Sequence, residues 1–239
     1  MADRVAALLK AIRARLKAVA DPKFAAALRW FFKEPVNPYG VRTPQVRELA
    51  RLAYREVKQW PVAERDRFVT ELWKSGMLEE GVLVSHLYRR FAKSCGAREF
   101  AMFEQWLNRY VGNWSHCDGV STWLIAASIA NRPELTAKLA AWTKSKIRWK
   151  RRSAAVSLIQ EAKRGRNTET IFLICDLLRD DTDDMVRKGV GWLLKETYPA
   201  RPRETLVFLE NWRANAPRLI LRLAAEKMSA EHRQWLLTK

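Results

Sequence analysis

Five large apolar residues, Phe68, Phe103, Leu139, Ile174 and Phe208, follow one another at spacings of 35, 36, 35 and 34 residues. Each opens the apolar face of a short helix. Its partners come at helical spacing: Leu72, Trp106 with Leu107, Trp142, Leu177 with Leu178, and Trp212. A turn and a longer second helix complete each unit. A helix-pair period of about 35 to 40 residues marks an α-solenoid, in which each unit buries its apolar face against its neighbours. The nine glycines and the rarity of alternating runs agree with helix almost throughout. Pro133, Gly165, Pro199, Pro202 and Pro217 punctuate the array outside helix centres.

The Trp and Pro positions do not follow the tetratricopeptide pattern, so the expected fold is all-α: a right-handed-type α-solenoid of HEAT-like helix pairs. Its concave face, built from the second helices, is expected to be basic. Residues 1–239 are expected to form one domain, with N-terminal helices over about 1–60 and helix-pair repeats over about 61–239. In the N-terminal part, Asp3 to Val19 reads as an amphipathic helix with Val5, Leu8, Leu9, Ile12 and Leu16 as its stripe. Asp21-Pro22 reads as the N-cap and first residue of a second helix through Phe31, with Phe24, Leu28, Phe31 and Phe32 apolar. Pro35 to Pro44 reads as a loop, and Thr43-Pro44 starts a third helix with Val46, Leu49 and Ala53 on its face.

Charge bears on partners. Lys and Arg number 44 against 26 Asp and Glu, a formal net charge of +18. Such an excess opposes compaction and suits a polyanion: nucleic acid first, an anionic membrane surface second. The apolar runs are too short to span a bilayer and the N-terminus has no signal-peptide core, so a soluble cytoplasmic protein is expected. Cys95, Cys117 and Cys175 make neither a metal pattern nor a disulfide framework, and His86, His116 and His232 are scattered. No Gly-rich phosphate loop is present. Any catalysis is therefore expected to need neither metal nor cofactor.

The stretch richest in chemistry is Asn113-Trp-Ser-His-Cys-Asp118, where Trp114 and Asp118 stand four residues apart on one helix face. With Trp114 as position zero of its second helix, Trp149 and Met185 are its counterparts 35 and 36 residues on. Asp118 is then at plus four, Arg152 at plus three and Trp192 at plus seven. At about 100° per residue these positions span an arc of roughly 100°. The apolar stripe falls elsewhere, at plus six (Val120, Ala155, Gly191) and plus nine (Trp123, Leu158, Leu194). Trp114, Asp118, Arg152 and Trp192 are thus expected to project off the core from corresponding faces of three helices.

Tryptophan in a helical array is usually core, and the phase of Trp73, Trp106, Trp142 and Trp212 says so for them. Trp114 and Trp192 differ in phase, and exposed indoles can pack on sugars or stabilise a cation. Asp118 could be an ordinary surface acid, yet an acid kept on a DNA-facing surface repels phosphate and needs a compensating role. Lys144, Lys146, Arg148, Lys150, Arg151 and Arg152 form a basic run that could be a solvated face or a phosphate grip, with Lys163, Arg164 and Arg166 following. Lys188 is the equivalent of Arg152 one repeat on. His116 invites a general-base role, but its position turns away from Trp114 and Asp118. The cysteines read as small core residues.

Taken together, Asn113–Asp118, Arg148-Trp-Lys-Arg-Arg-Ser-Ala-Ala155, Arg187-Lys-Gly-Val-Gly-Trp-Leu-Leu194 and, weakly, Gly40-Val-Arg-Thr-Pro44 resemble the AlkD-type HEAT-like-repeat alkylpurine DNA glycosylases of bacteria. The resemblance implies a monofunctional glycosylase acting on cationic alkylated purines, such as 7-methylguanine, 3-methyladenine and bulky adducts, in double-stranded DNA. It also implies that the lesion stays stacked. Asp118 would match the family's catalytic acid, Trp114 and Trp192 its sugar-packing indoles and Arg152 its phosphate-binding arginine. Arg148, Lys150, Arg151, Arg152 and Lys188 would grip DNA, and the enzyme is expected to act as a monomer at the nucleoid. Two other readings compete: a non-catalytic DNA- or RNA-binding array, and a protein-interaction scaffold.

Overall fold

The computed structural model describes residues 3–238, and among these every regular element is a helix. They divide into two compact units, one running to Ser94 and joined by Arg109–Gly119, the other comprising Cys95–Asn108 and the chain from Val120 onward.

The first unit begins where local chemistry dictates. Asp3 accepts hydrogen bonds from the amides of Val5 and Ala6 and opens α1 (Arg4–Ala18), which buries Val5, Leu9, Ile12 and Leu16. Asp21 does the same for Lys23 and Phe24 at the head of α2 (Pro22–Phe31), with Pro22 at its first position. Helix α3 (Thr43–Val57) buries Val46, Leu49, Ala50, Ala53 and Val57. Next come α4 (Val62–Lys74), built on Phe68, Leu72 and Trp73, and α5 (Leu78–Tyr88). The loop before α3 is fastened by a buried acid of α5. Glu79 accepts from the amides of Tyr39, Gly40 and Val41 at 2.8–2.9 Å. Gly40 has φ +87°, and a side chain there would meet the Asp21 carbonyl oxygen at 2.1 Å, so only glycine fits. One expectation for α2 fails: Phe32 is buried but Phe31 is 61% exposed, beside Trp30 at 86%. The helix is short, and Ala25 is the residue it buries fully.

The chain contributes α6 (Ala97–Arg109) to the second unit and returns to the first for α7 (Trp114–Gly119). From Val120 to Ile125 it is π-helical, followed by α8 (Ala126–Asn131), α9 (Lys138–Trp142), α10 (Arg148–Val156) and α11 (Ile159–Lys163). Then follow α12 (Thr168–Leu178), α13 (Asp184–Thr197), α14 (Pro202–Glu210), α15 (Arg218–Ala224) and α16 (Ala230–Leu237). The repeat anchors Phe103, Leu139 and Ile174 are fully buried, as are Trp106, Trp142 and Trp212. Two positions depart from the pattern. Leu177 is 46% exposed while Leu178 fills the core, and Phe208 is half-buried, stacked on Phe172 at 4.4 Å. The π-helical turns widen the spacing and shift the face presented. Val120, Leu124 and Ile125 are accordingly buried, whereas Trp123, expected on the apolar stripe, is half-buried. In α13 the stripe holds, and Gly191 brings the helix so close to α15 that a side chain there would meet Leu223 Cβ at 2.6 Å.

Candidate nucleic-acid site

In the first unit the site rests on α7. Asn113 accepts from the His116 amide at 3.0 Å, and its side-chain amide lies 3.2 Å from His116 Nδ1. On the other side of the ring, Nε2 lies 2.8 Å from the Leu78 carbonyl oxygen. These contacts select one tautomer: Nε2–H donates to Leu78, and Nδ1 accepts from Asn113. The imidazole meets Trp73 edge-on at 5.1 Å and fills the space over Gly81. Burial pulls its pKa down to about 4, so it is neutral and serves to dock the start of α7 onto α5. The general-base possibility for His116 has no support in this geometry.

Trp114 and Asp118, on the same face one turn apart, are both half-buried. The Trp114 indole stacks on Phe32 at 5.2 Å with a 14° tilt, and Phe31 meets it edge-on at 6.1 Å. A cavity of about 170 Å³ opens beside it, lined by Phe24, Leu28, Val41, Leu78, Val82 and Ser115 among others. One indole face is therefore already backed by protein. Sequence reasoning missed this role of the end of α2. The available signal was the run Trp30-Phe31-Phe32, more aromatic surface than one short helix can bury.

In the second unit the candidate residues stand on α10 and α13. Arg152 was expected off the core and is instead 5% exposed, its guanidinium donating to the Met185 carbonyl. The neighbouring helix α13 supplies that carbonyl, and Gly189 on it packs beside the arginine, where a side chain would lie in ordinary contact with Cγ at 3.4 Å and Nη1 at 3.5 Å. Trp192 is three residues further along α13, on the same face, and is half-buried. Glu196 stands one turn on, on the same face of α13.

The basic run is not a uniform solvated face. Arg148 pairs with Asp183 at 3.3 Å, Lys150 with Glu104 at 2.6 Å, and Arg151 with both oxygens of Asp181 at 2.6 and 3.1 Å. Asp183 also caps α13 through the amides of Met185 and Val186. These three cations, expected to hold phosphate, are thus engaged in joining α10 to its neighbours. The acids that recruit them come from elements the sequence frame did not align. Arg164 and Arg166 pair with Glu161, and Lys163 lies 3.9 Å from Glu196. Lys144 and Lys146 are exposed, and Lys188 is half-buried outside these pairs. All three cysteines are buried, and burial pushes the Cys175 thiol pKa up. Among the described residues no cluster of His, Cys, Asp and Glu could hold a metal ion, and no helix is long and apolar enough to cross a membrane.

A strongly basic, wholly helical chain with an indole and a carboxylate on one anchored turn has the makings of a DNA-repair protein. The sequence matches the family of DNA alkylation repair enzymes over residues 12–228, and the chain belongs to that family. Among solved structures, it is similar to a predicted DNA alkylation repair enzyme from Enterococcus faecalis, with a TM-score of 0.80 and 15% identity over 88% of this chain and 97% of that one. It is also similar to AlkD2 from Streptococcus mutans, with a TM-score of 0.61 and 16% identity over 87% and 99%. At such identities the likeness is one of fold. No curated protein matches the sequence.

Proposed function

We propose that this chain is a monofunctional DNA glycosylase that hydrolyses the N-glycosidic bond of cationic alkylated purines in duplex DNA, leaving the damaged base in the stack. The substrates are 7-methylguanine, 3-methyladenine and bulkier adducts of the same charge. The observation that carries this reading is the pairing of Trp114 with Asp118 on α7, a helix whose first turn is pinned by buried, neutral hydrogen bonds. An acid positioned that firmly in a protein of net charge +18 has a use beyond solubility.

Alkylation places a positive charge on the base, which departs neutral when the bond to C1′ breaks, so the leaving group needs little acid. Charge then develops on the deoxyribose. Asp118 stabilises that oxocarbenium-like sugar electrostatically and orients a water, which adds to C1′ and releases its proton to the Asp118 carboxylate and from there to solvent. The faces of Trp114 and Trp192 pack on the sugar and favour the cation. Arg152, fixed at the Met185 carbonyl, supplies a positioned positive charge for a phosphate, and Lys188, Lys144 and Lys146 add sequence-independent attraction. On this reading the enzyme works as a monomer in the cytoplasm, on the nucleoid, without metal or cofactor.

Duplex DNA containing 7-methylguanine, incubated with the wild type and with Asp118→Asn and scored for released base, tests the proposal. We expect release by the wild type and a loss of about 10²–10³-fold in the variant, the scale of one lost electrostatic contact in a preorganised site. Equal release by both proteins would remove Asp118 from the mechanism. Salt-sensitive binding without release from this or 3-methyladenine DNA would leave a DNA-binding array, and neither binding nor release would leave a protein scaffold.

A further inference from the structure

The stretch Gly40-Val-Arg-Thr-Pro44, which the proposed activity leaves unused, sits against a buried acid, Glu79, at the start of α5. Its partners are three consecutive main-chain amides. Oε1 accepts from Gly40 and Val41 at 2.8 and 2.9 Å, and Oε2 from Tyr39 at 2.9 Å. The three amides turn toward one point because Gly40 stands at φ +87°, and such a run forms a concave anion-binding nest. A carboxylate buried there has lost its hydration and depends on those bonds. The nest in turn holds α2 at two places. The Gly40 carbonyl oxygen accepts from the Asp21 amide at 3.2 Å, and the Arg42 guanidinium lies over the Phe24 ring at 3.7 Å. Just past the other end of α2, Phe32 stacks on Trp114 at 5.2 Å. Val41, Glu79, Phe32 and Trp114 line one cavity. Leu78, the residue before Glu79, holds α7 through the bond from His116 Nε2 to its carbonyl oxygen.

We propose that Glu79 is a positioning residue for Trp114. Its carboxylate, seated in the 39–41 nest, sets where α2 lies against α5, and so where the Phe32 ring stands behind the indole. The helix that bears Trp114 and the ring that backs it are thus registered to one turn of α5, and the opposite face of the indole has a fixed place at which to receive a sugar. This inference rests on the reading of Trp114 as a sugar-packing residue. It adds that the packing depends on a buried acid that never touches DNA. It also gives Gly40 a part in the activity, since a residue with a side chain could not point the three amides at one carboxylate.

A double-mutant cycle on single-turnover release of 7-methylguanine separates positioning from mere stability. Glu79→Gln keeps the size and one accepting oxygen but turns an NH2 group toward the Tyr39 amide, so one bond of the nest becomes a meeting of two donors. At a temperature where the variant is folded, release should slow by about tenfold while undamaged duplex binds as before, since a misplaced packing group costs rate rather than grip. In a Phe32→Leu background, which has no ring stacked behind the indole, the same substitution should change the rate by less than about twofold. An unchanged rate in folded Glu79→Gln, or an equal loss in both backgrounds, would overturn the proposal. A merely structural bond lowers the melting temperature without moving the rate of the folded enzyme. Glu79→Asp, which keeps the carboxylate and draws it back by one methylene, carries the same test if Glu79→Gln does not fold. A second readout is independent of catalysis. The indole ring resonances that vanish in Trp114→Phe should move downfield in Phe32→Leu, which removes the shielding face of the stacked ring, and in the same direction in Glu79→Gln. If the wild type releases no base, the glycosylase reading fails, and these resonances alone decide the positioning. Resonances unmoved in Glu79→Gln would show that Glu79 does not set the indole.

Discussion

The candidate residues on α7 and those on α10 and α13 are held by different physics. Around His116, at the head of α7, the contacts that dock the helix are neutral: an amide, an uncharged imidazole and a backbone carbonyl, with stacked rings at Trp114. Around α10 and α13 they are ionic: arginines and a lysine against aspartates and glutamates, with a buried guanidinium on a carbonyl. Ionic docking uses up cations that would otherwise be spread toward DNA. Positive charge in a sequence is therefore a poor count of positive charge available to a partner.

The difference can be broken first at Gly81. A methyl group there would lie 2.5–2.6 Å from His116 and Trp73, rigid and buried neighbours that cannot withdraw. Gly81→Ala should cost about 3 kcal/mol or more in a denaturant titration, and it should reduce base release along with it. A cost below about 1 kcal/mol would mean α7 is not docked through His116.

The same neutrality predicts a pH response. His116 has a folded pKa of about 4, below the unfolded value, so the unfolded chain binds the extra proton as pH falls. Its contribution is complete above about pH 6.5 and is lost as pH drops toward 4, on the order of 3 kcal/mol in all. His86, also buried and held near 4 with Arg47, Arg89 and Arg90 close by, acts in the same direction. Urea midpoints measured from pH 7 to pH 4.5 should decline steadily. A flat profile would contradict a buried neutral His116.

On the ionic side, Arg151 and Lys188 make a paired test with smaller effects. Arg151→Ala removes a two-pronged contact to Asp181 and should lower stability by about 1–3 kcal/mol, since Asp181 is left nearly buried and unmatched. Its effect on the salt dependence of DNA binding should be slight. Lys188→Ala should leave stability unchanged within about 0.5 kcal/mol and reduce the log–log salt slope by about 1. The reverse outcome would return Arg151 to the phosphate-contacting set.

Much of the helical layout was legible because its causes are local. Asp3 and Asp21 cap the helices they precede, Pro22 stands at a first helical position, and the buried tryptophans fall in phase with the 35-residue repeat. The frame that separated Trp114, Asp118 and Trp192 from the apolar stripe used only helical periodicity; all three are half-buried, as is Trp123 on the stripe itself. It failed at Trp123, where a π-helical stretch breaks the phase, and at Arg152, where the Met185 carbonyl of α13 receives the guanidinium away from solvent. It had no means of finding Phe31 and Phe32 beside Trp114, because the residues are some eighty positions apart.

The sequence by itself determined the helices, their caps and their repeat, because hydrogen bonds at a helix end and apolar spacing along a helix are settled within a few residues. Tertiary structure alone decided which charges are neutralised, why His116 is uncharged and how deeply Arg152 sits. Those depend on what another element brings within a few ångströms, and burial and Coulombic pairing at that range are properties of the packed chain.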